Sequence, residues 1–104
     1  DAVSVKPGGE IQQLTISGGI TTNGDNVHSY NVEGGIVHQL NISGDIIANG
    51  ENSIAIAVSN DGQTPLNNIS AISKQGIAVQ ISKGKVGDRT GLIAKGAKGN
   101  IVED

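Results

Sequence analysis

Residues 16–24 read ISGGITTNG, and 26 positions later residues 42–50 read ISGDIIANG. An acid and an asparagine follow each copy, Asp25-Asn26 and Glu51-Asn52. An Asn-Gly pair between apolar runs is ordinarily a strong short-range signal of a β-hairpin. A hairpin gives no reason, however, for the next one to match it at a fixed interval. Residues 9–34 laid over 35–60 without a gap agree at eleven of 26 positions. These are Gly9/Gly35, Gln13/Gln39, Leu14/Leu40, Ile16/Ile42, Ser17/Ser43, Gly18/Gly44, Ile20/Ile46, Asn23/Asn49, Gly24/Gly50, Asn26/Asn52 and Val32/Val58.

Inside one unit the apolar residues come in three short alternating bursts, Leu40–Ile42, Ile46–Ala48 and Ile54–Ile56–Val58. Period-2 bursts of this length are strands. Gly and Asn mark the corners between them, because both tolerate positive φ. In a winding chain each strand pairs with its equivalent one turn later, so like stands on like ~4.8 Å apart. The identities are the classes that gain from such stacking: aliphatics, and amides that bond along a ladder. A three-strand coil of this length also falls in the period range of solenoids.

The predicted fold is therefore all-β, a parallel β-helix of ~26-residue, three-strand coils, three to four in number. The chain forms one β-helical domain or fragment, with coils at about 9–34, 35–60, 61–82 and 83–104. In the third unit, residues 68–82 (NISAISKQGIAVQIS) keep the order of apolar positions but lose a residue near Ala71 and the acid–asparagine pair after Gly76. The fourth offers Leu92, Ile93, Ala94, Ile101 and Val102.

Composition agrees. The chain has 16 Gly, no Cys, Met, Trp or Phe, and one aromatic, Tyr30. Burial must come from Ile, Val, Leu and Ala, and β-branched residues suit a pleated surface. No apolar run reaches the ~18 residues that span a bilayer, so no membrane insertion is expected. Net charge is −3: residues 1–52 carry −5 and residues 53–104 carry +2. The basic half is too dilute and too poor in aromatics for a nucleic-acid surface. The chain starts at Asp rather than Met, which suggests a processed product or a piece of a longer chain.

The Asn-Gly corners, the "ISG-x-I" strands and the 26-residue repeat resemble the right-handed parallel β-helix of bacterial autotransporter passenger domains. They are also similar to the β-helices of phage tailspikes and pectate-lyase-like proteins. The resemblance spans about residues 9–82 and is architectural, so it carries over no active-site residue. It implies a non-enzymatic structural or adhesive segment of a bacterial surface or secreted protein, extracellular or on the cell surface. The partners implied are a host-surface glycan or protein. The alternative is a trimeric phage tail fibre or spike module for host attachment, located on the virion. A coil stack with open ends also suggests a homo-oligomer, a trimer, or part of a longer chain.

A second alternative is a carbohydrate-active enzyme. Stacking brings Asp25 and Glu51 one coil apart, and retaining glycosidases hold two carboxyls ~5–5.5 Å apart. Every repeated acid in a solenoid meets that spacing, so the two are expected to be turn acids, with no catalytic residue and no cofactor. Asp25, Asn26, Glu51 and Asn52 are oxygen ligands on one edge, yet the glycine-rich calcium repeat is absent and no metal is expected. His28 and His38 lack a third ligand. Residues 83–91, KGKVGDRTG, lack the order of a phosphate loop and read as a basic corner. The triplets beginning at Asn41 and Asn68 match a glycosylation signal but are read as outward strand positions.

Overall fold

The structure, a computed structural model, describes residues 1–104. Thirteen strands follow one another with no helix. They are β1 (Val3–Val5), β2 (Glu10–Ile16), β3 (Ile20–Thr22), β4 (His28–Glu33), β5 (Ile36–Ile42), β6 (Ile46–Glu51) and β7 (Ile54–Ser59). The second half holds β8 (Gln63–Thr64), β9 (Ser70–Gln75), β10 (Ile77–Ser82), β11 (Lys85–Val86), β12 (Ile93–Gly96) and β13 (Gly99–Glu103).

Every pairing is parallel and joins a strand to its equivalent one turn away. The sheets run β1-β4-β7-β10-β13, β2-β5-β8-β11 and β3-β6-β9-β12. We call them sheets A, B and C. The chain is thus a parallel β-solenoid of about four turns. Ile16 pairs with Ile42, Ile20 with Ile46, and Val32 with Val58, in the repeat register. No hairpin crosses Asn23-Gly24, because β3 pairs only with β6.

The core is a set of columns perpendicular to the strands. Val3, Tyr30, Ile56, Val79 and Ile101 form one, and Val5, Val32, Val58, Ile81 and Glu103 the next. Ile20, Ile46, Ala71 and Ala94 form a third, from sheet C. Tyr30, Ile46, Ile56, Leu66 and Val79 are fully buried. Burying a side chain of this size contributes ~1.5–3 kcal/mol. Strict alternation fails at one place in each coil: Ser29-Tyr30, Ala55-Ile56 and Ala78-Val79 are consecutive pairs with both members fully buried. The smaller member fits because Ser and Ala need little room beside the larger neighbour.

Three details differ from the sequence reading. First, Val3–Val5 supplies an additional strand of sheet A below the first repeat, 27 residues before Tyr30–Val32. Second, positive φ belongs to Asn26 (57°) and Asn52 (52°), not to the Asn-Gly asparagines. Gly50 serves close approach instead, since a Cβ there would collide with the Gly24 carbonyl. Third, the shortening of the third coil is placed differently. Ten residues lead from Ile36 to Ile46, but only eight between their partners Gln63 and Ala71. Gln75 pairs with Glu51 past an irregularity, so the corner contracts before Gly76 rather than after it.

Candidate functional site

The repeated corner between sheets C and A holds Asp25 and Glu51, and its hydrogen bonds run from coil to coil. Asn49 Nδ2 donates to Asn23 Oδ1 at 2.8 Å. The Glu51 backbone N–H donates to Asp25 Oδ1 at 2.8 Å. Val27 N–H donates to Ser53 Oγ at 3.3 Å, and that hydroxyl donates to the Gly24 carbonyl at 2.8 Å. One level up, Gln75 Nε2 donates to the Asn49 carbonyl at 2.9 Å. Asp25 thus binds the backbone of the next coil, while the exposed Glu51 carboxylate makes no side-chain contact with it. Asn26 and Asn52 take the left-handed conformation that the turn needs. A carboxylate oxygen held by a backbone N–H of the next coil serves as a turn anchor.

Tyr30, the only aromatic, lies inside the solenoid and donates or accepts a 2.8 Å bond with Thr64 Oγ1. Burial pushes its phenol up from 10.0 to about 12, with the Thr64 bond pulling the other way. It offers no outward platform for a sugar ring.

The histidines lie on different sheets. His28, on β4, has Nδ1 3.2 Å from Asp1 Oδ1, and burial and the N-terminal ammonium hold it below its usual range while Glu33 opposes them. His38, on β5, has Nε2 2.6 Å from Glu10 Oε2. No three His, Cys, Asp or Glu side chains converge on one point. In the basic segment, Lys85–Val86 forms β11, the Asp88 carboxylate accepts the Thr90 N–H at 2.9 Å, and Arg89 reaches Glu103 at 3.2 Å. Hydrogen bonding from the Thr90 backbone and side chain holds the Asp88 carboxyl below its usual range.

One concavity was not foreseen. It lies where sheet B turns toward sheet C. A groove of about 280 Å³ is floored by Ile16, Leu40 and Ile42 and walled by Asn41, Asn67 and Asn68. A second depression of about 330 Å³ adjoins it along His38–Asn41, beneath Pro65 and Asp88. Both come from the short third coil. Pro65 has no N–H to give the ladder, so β8 stops at Thr64 and pairs with β5 only through Ile36 and Gln63. Asn68, expected in a strand, sits in the turn with φ 58°, whereas Asn41 is an outward residue of β5 as read from sequence. The sequence signal was Pro65 itself, inside what should be a central strand. No protein-family model, no curated protein and no solved structure matches the chain.

Proposed function

We propose that this β-solenoid is a non-enzymatic segment of a bacterial surface or secreted protein, serving as a spacer that presents a binding flank. What carries the reading is the use made of the only repeated acid pair. Asp25 clamps the backbone of the coil above it, so the residue best placed for chemistry has a structural task. The buried position of Tyr30 supports the same reading, since sugar-processing sites favour exposed aromatic platforms. A trimeric phage spike would call for an apolar flank along the coils. The exposed large apolar side chains, Ile93, Ile101 and Val102, all lie in the last turn.

Incubating the protein with a panel of bacterial and host polysaccharides should release no reducing ends. Cleavage that disappears in the double variant Asp25→Asn, Glu51→Gln would overturn the non-enzymatic reading. Antibody against the segment should label intact cells of the source organism, and labelling only after lysis would remove the surface assignment. A trimer in sedimentation equilibrium would favour the spike alternative.

A further inference from the structure

Three features compete as further sites. The last turn exposes Ile93 (55%), Ile101 (44%) and Val102 (39%), but a second copy stacked head-to-tail would set Val5 on the Glu103 end of its column. Of the corner acids, Asp25 is committed to backbone, and no second group converges on the Glu51 carboxylate. The sheet B step differs from both, because there the main chain itself is left unpaired.

Elsewhere in the solenoid, backbone bonds join neighbouring coils in sheets and corners alike. At this corner of the first two coils, Ser43 N–H reaches the Ile16 carbonyl at 3.3 Å and Gly44 N–H the Gly18 carbonyl at 2.8 Å. Between the second and third coils that bonding stops. Gln63 N–H donates to the Gly35 carbonyl at 2.9 Å, and no backbone bond links residues 65–69 to residues 37–44. The loop bonds only to the fourth coil: Leu66 N–H to the Asp88 carbonyl, Asn68 N–H to Thr90, and Ile93 N–H to Ile69. From His38 to Ile42, beyond the Ile36–Gln63 bridge, β5 pairs with β2 below and with nothing above. This is a strand edge in the middle of a sheet. At ~3.3 Å per residue, it runs for roughly 16 Å.

Unpaired strand edges are templates for another strand. The surroundings suit one. The groove at its end has Ile16 and Ile42 in its lining and no ionisable group, while the depression along His38–Asn41 adds His38 and Asp88. The carboxamides of Asn41, Asn67 and Asn68 make no hydrogen bond within the protein and stand free on its walls, each with donors and an acceptor. We infer that the β5 edge under Pro65 is a β-augmentation site, which takes an extended, uncharged polypeptide segment of about four to six residues. Main-chain bonds to residues 38–42 supply the affinity. The partly exposed Ile16 and Ile42 favour an apolar residue against them, and the three amides bond the peptide groups that remain. A sugar is the less fitting occupant, since no aromatic face lines the groove. The inference stands on this edge alone and does not depend on where the protein is located.

The probe is the blocked hexapeptide acetyl-IQQLTI-amide, the sequence of Ile11–Ile16 in β2, which already stacks on β5 from below. Titrated into the isotope-labelled protein at up to millimolar concentration, it should shift amide signals of residues 38–42 and 66–68. Amides along the β5 edge that exchange quickly in the free protein should be protected by about tenfold or more. A peptide N-methylated at alternate residues lacks the ladder donors and should lose the effect on the unchanged protein. Asn67→Trp, which fills the step, should lose it as well. The inference is overturned if millimolar peptide gives no shift, if the N-methylated peptide binds equally, or if the shifts gather on the terminal strands β1–β3 and β11–β13. A neutral methyl glycoside that shifts residues 38–42 where the peptide does not would also overturn it, and would mark a saccharide site.

Discussion

Asn23 and Asn49 occupy equivalent corners, yet removing one should cost more than removing the other. Asn49 Nδ2 donates to Asn23 Oδ1, and Asn49 Oδ1 is buried without a partner. A neutral hydrogen bond contributes ~1 kcal/mol net, whereas a buried unsatisfied polar atom costs ~1–3 kcal/mol. Asn23→Ala deletes the acceptor and leaves the Asn49 carboxamide with neither end satisfied, so it should destabilise by ~1–3 kcal/mol. Asn49→Ala also deletes that bond, but it removes the orphan acceptor with it, and the exposed Asn23 amide can turn to water. The two terms oppose, and the net change should stay within ~1 kcal/mol of zero. The double variant should resemble Asn49→Ala, which makes the pair strongly non-additive. Urea unfolding followed by far-ultraviolet circular dichroism measures all three. A difference of ~1 kcal/mol amounts to about 4–8 °C in a domain of this size. A larger loss from Asn49→Ala than from Asn23→Ala would refute the reasoning, because the orphan oxygen would then carry no penalty.

Ile46→Ala empties a fully buried position between Ile20 and Ala71 and should cost ~2–5 kcal/mol in the same assay; a change under ~1 kcal/mol would mean that the coils close over the gap. Gly50→Ala drives a methyl into the Gly24 carbonyl and forces the first two coils apart, so it should destabilise more than Gly87→Ala, where a Cβ meets nothing. Tyr30 can be titrated alone by the ultraviolet absorbance of its phenolate. Its folded value of about 12 lies above the unfolded 10.0, so its contribution is complete below pH 10 and is lost as pH rises from 10 toward 12. Two units correspond to roughly 3 kcal/mol, and a midpoint near 10 in the folded protein would contradict its burial. Asp25→Ala removes the acceptor of the Glu51 N–H and should cost ~1 kcal/mol, while Asp25→Asn, which keeps an acceptor, should cost less.

The parts of the fold legible in the sequence are those where stacking itself constrains the residues. Leu14 under Leu40, Ile20 under Ile46 and Asn23 under Asn49 are identities that parallel coils favour and a meander does not, so the first two turns could be read residue by residue. Alternation and identity sufficed for Val32, which stands under Val58, while the core place of Tyr30 under Ile56 comes from the structure. Val3 and Val5 alternate as well, but two apolar residues are too few to separate a strand from a tail. Legibility ended where the coil changes length. Losing two residues between Gln63 and Ala71 breaks the like-on-like register, and a ladder without identities leaves no trace in a self-comparison.

The same change of length creates the step in sheet B, and this is why the site eluded a reading built on repetition. In a regular solenoid each outer face is a set of satisfied strands, which differ only in side chains. A binding surface made from main chain requires a coil that fails to cover its neighbour, and such a coil departs from the repeat by construction. Pro65 marks the departure, because proline cannot donate within a central strand, and Asn67-Asn68 supplies the tight turn, with φ 58° at Asn68, that shortens the path. Restoring the missing length should therefore close the site. Replacing residues 63–70 by the longer Ile36–Asp45 segment, with Pro65 eliminated, would let the third coil pair along β5 and protect its amides without added peptide. Should those amides still exchange freely while the chimera stays folded, the step would owe its existence to something other than the length of the third coil.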